Sequence, residues 1–430
     1  MYRGHSGSTI RSHNRSLLLR LLLLHEPISR VELASITGLT MPTVHGLIKE
    51  LMQEGIVEEL GTTDPQGGGA GRRAALLGLR PKSRMSIGVD LGVRTTRIGL
   101  LDIKGEVLAE KQVIRHEADE EPRDTLDKVF LAIEETLDRV PLNPRDIVGL
   151  GIGVPGLVDV ATGHVRRTPN LGWQGIPLGA WFQERLALPV IVDNNIRAMA
   201  IGERMFGRGR EEANLISFFV GPGIGAGILI NDDIFRGVSD GAGEVGHTLI
   251  DPAGPVCRCG RQGCLEAVAS NTAIIRKVWE AATAGQDSEL GNLVLQELSS
   301  QDSGELTIED VVRWAEGGNT YCKELLEDAG RFLGEGIANL INLFNPELII
   351  VGGELFNHSD LVFDSLAATA RQKAFSVPAD SVALVKTGFG KGQGLIGAGA
   401  LALREFFYSS STSQTLVEYP RVAEQGRVRR

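Results

Sequence analysis

Near the N-terminus three stretches repeat apolar residues with a helical period and follow one another closely: residues 13–25, about 29–36 (SRVELASI) and 41–54 (MPTVHGLIKELMQE). In the third, Val44, Leu47, Ile48, Leu51 and Met52 fall at i, i+3, i+4, i+7 and i+8. That is one apolar stripe for a core, and it leaves Met41, Thr43 and His45 pointing outward. Ser29, with Glu32 three places on, forms a capping box for the second helix, which Thr37-Gly38 ends with a left-handed stop. Thr40 caps the third helix, with Pro42 in its first turn. Two short apolar runs follow, 56–60 and 74–79, on either side of Gly67-Gly68-Gly69-Ala70-Gly71-Arg72-Arg73. They predict two strands around a basic, glycine-rich tip.

A helix, a Thr-Gly-Leu-Thr turn and a second helix make the helix-turn-helix arrangement, whose second helix enters the major groove by its N-terminal residues. With the paired strands behind it, this predicts a winged module in which Thr40, Met41, Pro42, Thr43 and His45 face DNA. Arg72 and Arg73 are expected to reach phosphates or a minor groove. Gly46 in the recognition helix costs about 1 kcal/mol relative to alanine, and that helix has a single lysine. Base readout therefore leans on Thr43, His45 and the tip.

From Met85 onward the pattern changes to apolar strands alternating with helical stretches and glycine-rich turns, which predicts an α/β architecture with mixed sheets. Two strand-turn-strand units look alike, IGVDLGVRTTRIGLLD at 87–102 and SFFVGPGIGAGILIND at 217–232. This reads as an internal duplication in which backbone N–H groups at a turn can approach phosphates. A third glycine-pair turn ends the run Leu348-Ile349-Ile350-Val351-Gly352-Gly353.

Length and charge divide the chain. Its 430 residues exceed one ordinary domain. Residues 1–84 hold 11 Lys and Arg against 7 Asp and Glu, a net of +4, and the remainder carries −14. A basic module fused to an acidic body fits the winged reading. No apolar run reaches the roughly 18 residues of a membrane span, and the leucines of 17–24 are broken by Arg20 and lack a cleavage site. The expectation is a cytoplasmic protein with no membrane partner.

Three of the four cysteines crowd into Cys257-Arg258-Cys259-Gly260-Arg261-Gln262-Gly263-Cys264. With His247 they supply three thiolates and an imidazole, the closed tetrahedral set of a structural Zn²⁺ site. Such a set leaves no open position for water, so the ion is expected to organise rather than catalyse. Cys322 sits in a helical stretch and is expected to be packed.

The string Gly241-Ala242-Gly243-Glu244-Val245-Gly246-His247, ten residues before Cys257, resembles the signature of the ROK family (repressor, open reading frame, kinase). With the winged module and the three turns, the resemblance covers roughly residues 10–405. It implies a two-lobed actin-like (ribonuclease H-like) body over 85–407, a winged helix-turn-helix over 1–84, and a flexible tail over 408–430. It also implies sugar ligands at Asn170 (in PNLGW), Asn194, Glu244, His247 and Glu266. Polar groups of this kind discriminate between epimers because a buried polar group left unpaired costs about 1–3 kcal/mol.

The departures from the kinase pattern are specific. Where ROK kinases resemble V-E-N-D-x-N and use the aspartate as general base, this chain has Val192-Asp193-Asn194-Asn195-Ile196-Arg197. An amide cannot accept the proton, and such assistance is worth about 10² to 10⁴ in rate. The first phosphate turn reads Asp90-Leu91-Gly92-Val93-Arg94, and the second reads Gly221-Pro222-Gly223, which loses a hydroxyl and a backbone N–H. The expected protein is a sugar-responsive regulator, a repressor, acting as a homodimer or tetramer on a DNA operator and answering to a sugar or sugar phosphate. The rival expectation is a bifunctional ATP-dependent hexose kinase, with Asp193 as a displaced base.

Overall fold

The computed structural model describes residues 7–62, 74–114, 120–141, 143–285, 288–300, 305–357 and 359–409. Helices α1 (Gly7–His25), α2 (Arg30–Thr37) and α3 (Met41–Gln53) pack around Leu18, Leu22, Leu33, Val44, Ile48 and Leu51, all buried. α1 begins at Gly7, earlier than the apolar period predicts; Ile10 near its start lies exposed and adds nothing to the apolar stripe. The capping box is formed: Ser29 Oγ accepts from the Glu32 N–H at 3.2 Å, and Glu32 accepts from the Ser29 N–H at 2.8 Å. Strands β1 (Ile28–Ser29), β2 (Val57–Thr62) and β3 (Ala75–Leu79) make a three-stranded sheet in the order β1-β3-β2. This is a winged helix. The tip with Arg72 and Arg73 lies outside the described residues.

The body has two lobes of matching topology. The first contains β4 (Met85–Leu91), β5 (Thr95–Asp102), β6 (Val107–Ile114), α4 (Pro122–Leu137), β7 (Ile147–Val154) and a small sheet of β8 (Leu157–Asp159), β9 (His164–Thr168) and β10 (Trp173–Ile176). It ends with α5 (Leu178–Leu186), β11 (Val190–Asn194) and α6 (Asn195–Phe206). The second contains β12 (Leu215–Val220), β13 (Ile224–Ile230), β14 (Asp233–Ile234), helices α7 (Leu265–Ala269), α8 (Asn271–Thr283), α9 (Ser288–Ser300), α10 (Ile308–Glu316) and α11 (Thr320–Phe344), then β15 (Leu348–Gly352). It closes with α12 (Leu361–Lys373), α13 (Ser376–Ser381), β16 (Ala383–Lys386) and α14 (Gln393–Leu403).

The sheets run β11-β7-β4-β5-β6 and β14-β13-β12-β15-β16. In each, an antiparallel three-stranded meander is extended by two parallel strands. The duplication read from two turns thus extends to both whole sheets.

After its last strand each lobe sends a helix across to the other. α6, following β11, packs on β12 and β13; α14, following β16, packs on β4 and β7. The two helices cross at Gly202 and Gly397, where a Cβ on Gly397 would stand 2.6 Å from the Ala198 carbonyl carbon. Only hydrogen fits there, which lets the helix axes approach.

The winged module is not a separate ball on a tether. Its leucines Leu18, Leu19 and Leu22 share one apolar cluster with Ile201, Met205, Leu403 and Tyr408 of the body. Tyr408, which the sequence assigns to a flexible tail, is buried, and its hydroxyl donates to the Ile103 carbonyl at 2.6 Å. One aromatic beyond the last apolar period has no local signal, and its partner lies 305 residues away. The tail after Ser409 lies outside the described residues. Among the described residues, no helix is long and apolar enough to cross a membrane.

Candidate functional site

The candidate metal ligands are assembled by a loop folding back on itself. His247 ends a short 3₁₀ turn, and bridges between Leu249 and Cys264 and between Val256 and Gln262 close the loop above it. The Gly260 N–H donates to the Cys257 carbonyl at 2.9 Å, making a tight knuckle between the first two cysteines. Gly263, at φ 75°, brings its Cα so close to Asp251 that a Cβ would meet the Asp251 carbonyl oxygen at 1.8 Å, so only glycine closes this turn. The candidate ligand atoms of His247, Cys257, Cys259 and Cys264 then all lie within 4.8 Å of one another, close enough to hold one metal ion. Cys257 Sγ is 3.6 Å from His247 Nδ1, and Cys259 Sγ is 3.6 Å from Cys264 Sγ.

Hydrogen bonds from the Arg261 N–H and side chain pull Cys259 down to about 6, while burial and the neighbouring sulfurs push Cys264 up to about 12. Three thiols this close do not all ionise without a cation between them. Cys322 is buried elsewhere, in α11, as expected.

Cys264 is the N-cap residue of α7, so the cluster fixes where Glu266, in the first turn, points. Glu266 Oε2 accepts from the Ile224 N–H at 3.1 Å, beside the Gly221-Pro222-Gly223 turn. Glu244 lies among His247, Glu266 and Arg197; its carboxyl is raised above the usual range by burial, with His247 opposing and Glu266 adding to the shift. Glu244, His247 and Glu266 are thus brought together.

Asn170, exposed on the other lobe, meets the cysteine loop at Arg258, whose Nη1 donates to Asn170 Oδ1 at 3.1 Å. Arg258 stands between two of the cysteines, so the same loop that would hold the metal carries a cation across the cleft. Its position inside C-x-C was the one available signal, and nothing in the sequence says that it faces PNLGW.

Asn194 is used by the scaffold. Its Oδ1 caps α6 by accepting from Ile196 and Arg197 N–H at 2.9 and 3.3 Å, and its Nδ2 donates to the Gly156 carbonyl at 3.0 Å. The amide of Asn195, half-buried, has no hydrogen-bond partner among the described residues.

Asp193 is fully buried and gripped from two sides, by Arg197 Nε at 2.7 Å and by Arg236. Its Oδ1 also accepts from the Asn194 N–H at 2.7 Å. Both of its carboxyl oxygens are thus engaged by guanidinium groups inside the fold, an arrangement that serves the scaffold. Arg197 and Arg236, which lock it, were invisible as a pair because they sit 39 residues apart.

The first turn's Asp90 is pushed up to about 6 by burial, with Arg97 opposing, and one of its carboxyl oxygens is buried without a hydrogen bond. Because the folded state holds this proton more tightly than the unfolded chain, the contribution is stabilising at low pH. It is lost as pH rises from about 4 to about 6. Replacing Asp90 with asparagine is expected to raise stability at pH 7.5 by about 1–3 kcal/mol and to leave it unchanged below about pH 4. Denaturant midpoints across that range check it; equal pH profiles for the two proteins would refute it.

On the DNA side, Thr40 Oγ1 caps α3, 3.4 Å from the Thr43 N–H and 2.9 Å from Thr43 Oγ1. Thr40, Met41, Pro42 and His45 are exposed and Thr43 is half-buried, so one end of the helix presents all five. α1 braces it through pairs from Arg11 to Glu50 and Arg15 to Glu54.

A winged helix on a two-lobed, sugar-kinase-like body defines a class of DNA-binding regulator. Residues 86–405 match the ROK family and residues 11–58 the winged helix-turn-helix DNA-binding description. The chain belongs to the ROK family. It is 35% identical over 366 residues to a xylose repressor of Caldicellulosiruptor bescii, covering 85% of this chain and 89% of that protein. Among solved structures it resembles a ROK family transcriptional regulator homologous to the Escherichia coli MLC protein, with a TM-score of 0.77, 29% identity and coverage of 93% and 97%. It also resembles a ROK glucokinase from Streptomyces griseus solved with glucose and AMPPNP, with a TM-score of 0.66, 30% identity and coverage of 74% and 99%.

Proposed function

We propose that this chain is a sugar-responsive transcriptional repressor whose kinase-like body has become a receptor. The observation that carries the reading is one metal loop that orients Glu266, carries His247 and extends Arg258 to Asn170, in a body whose base position is the amide Asn195. Glu244, His247, Glu266 and Asn170 take the hydroxyls of a sugar or sugar phosphate, and Asn194 sets the α6 cap beside them. Zn²⁺ is the ion that suits three thiolates and one imidazole, and its role is to hold the loop.

Thr40, Met41, Pro42, Thr43 and His45, with wing residues Arg72 and Arg73, contact the operator. The protein acts in the cytoplasm as a homodimer or tetramer, and a two-fold assembly pairs two winged helices with two half-sites. Ligand and DNA affinities are coupled reciprocally.

The test is a thermal-shift panel of pentoses, hexoses, N-acetyl sugars and their phosphates. At a concentration of 100 times Kd a true effector adds about 2.7 kcal/mol, a shift of several degrees that Glu244→Gln is expected to abolish. A panel with no shift would end the receptor reading. Mapping binding sites across the genome then names the sugar through the genes beside the operator.

A further inference from the structure

The segment from the β13–β14 hairpin to Gly241 touches both ends of α6. At the N-terminal end, beside Asn195, Arg236 pairs with Asp193 and Arg197 Nη1 donates to the Asp240 carbonyl at 2.7 Å. At the C-terminal end, Arg204 Nε lies 2.7 Å from Asp232 Oδ1. Hairpin and helix therefore form a closed frame, and four residues after Asp240 the same chain reaches Glu244, then His247, of the proposed sugar site.

The frame also holds the DNA-binding module. Asp232 Oδ2 faces Arg20 Nη1 of α1 at 3.4 Å, so one carboxylate joins α1 to α6. Arg404, from the end of α14, donates to the Asp232 carbonyl at 3.1 Å and pairs with Asp233 at 3.0 Å. Arg210, beyond α6, donates to the Leu23 carbonyl. Around these contacts lies a small cleft of about 50 Å³, lined by Arg20, Leu23, Arg204, Met205, Asp232 and Arg404 among others.

We infer that Asp232 is the residue through which the sugar site controls the DNA-binding module, an inference that rests on the proposed reading of that site. A ligand drawn in by Glu244 and His247 pulls on the segment bolted to Asp193 and Arg197. Asn231 and Asp232, at φ 51° and 67°, form the two-residue tip of a tight hairpin. A two-residue turn with both φ positive matches the twist of the strands it joins, so it sets the position of Asp232 tightly against β13 and β14. The movement changes the distance from Asp232 to Arg20, and α1 carries α3 with it through the Arg11 and Arg15 pairs.

The test uses the full chain, a duplex selected from random-sequence DNA by the wild-type protein, and D-xylose, D-glucose, N-acetyl-D-glucosamine and its 6-phosphate as probes. The variants are Asp232→Asn and Arg20→Ala. Asparagine suits left-handed backbone, so the first variant removes the charge and keeps the turn. In the wild type the active sugar is expected to change DNA affinity by about 5- to 150-fold, the usual range of such coupling. Both variants are expected to keep wild-type sugar affinity by calorimetry and wild-type DNA affinity without sugar, while the sugar response falls below about twofold. Arg20→Lys is expected to restore part of it.

If the variants respond as the wild type does, Asp232 is not the coupling residue, although the receptor reading stands. If no sugar both binds and alters DNA affinity in the wild type, the receptor reading itself falls, and the coupling with it.

Discussion

Stripping the metal, or replacing Cys264 with serine, is expected to lower the melting temperature of the body by roughly 10–20 °C and to abolish sugar binding. Cys264 is buried at the start of α7, and the apolar cluster at the loop from His247 to Cys264 is only Cys257 and Cys264 with Ala267 of α7. What holds it closed is the convergence of four ligand atoms. Metal sites of this type bind with an apparent 10–16 kcal/mol in small peptides, and that binding energy is folding energy. If about 5 kcal/mol of it stabilises this lobe, the stated shift follows from the usual entropy of unfolding.

Elemental analysis is expected to find one zinc per chain in the wild type and none in Cys264→Ser, with Cys322→Ser unchanged as the control. A chelator is expected to reproduce the variant. Protein purified free of metal that melts at the same temperature and binds sugar with the same affinity would refute the assignment.

The second large effect concerns catalysis. With ATP, Mg²⁺ and a hexose panel, turnover is expected to remain at background, and Asn195→Asp alone is not expected to bring it back. Restoring the carboxylate returns a base, worth about 10² to 10⁴. The nucleotide side would still be altered. Arg94 reaches from the first turn to Glu305, so an ion pair joins the first lobe to the helical part of the second, and Lys391, just before α14, pairs with Glu309 at 2.7 Å. Pro222 has no N–H to offer a phosphate. The rival hexose-kinase reading predicts measurable turnover in the wild type, lost in Asp193→Asn. Buried between Arg197 and Arg236, Asp193 is placed to hold α6 and the 236–240 segment together instead, so that substitution is expected to cost stability.

Much of the architecture is legible in residue order because its causes are local. The α3 stripe, the Ser29 and Thr40 caps and the Gly38 stop specify a helix-turn-helix from neighbours within a few positions. The cysteine spacing specifies a metal loop because a knuckle turn of that length brings sulfurs together wherever it folds. The amide at position 195 and the proline at 222 are equally plain, since they concern what an atom can donate or accept.

What only the tertiary structure decided are the pairings between distant segments. Asn194 and Asn195 are indistinguishable as neighbours in sequence; the β11-to-α6 junction spends the first on the helix cap and leaves the second free. Arg258 meets Asn170 across 88 residues, and Arg236 finds Asp193 across 43. Tyr408 belongs to the core because Ile103 receives its hydroxyl. Local propensity and spacing carry no information about which lobe closes on which. That is set when two duplicated sheets exchange their final helices and bring the metal loop, the hairpin and the DNA-binding module onto one frame.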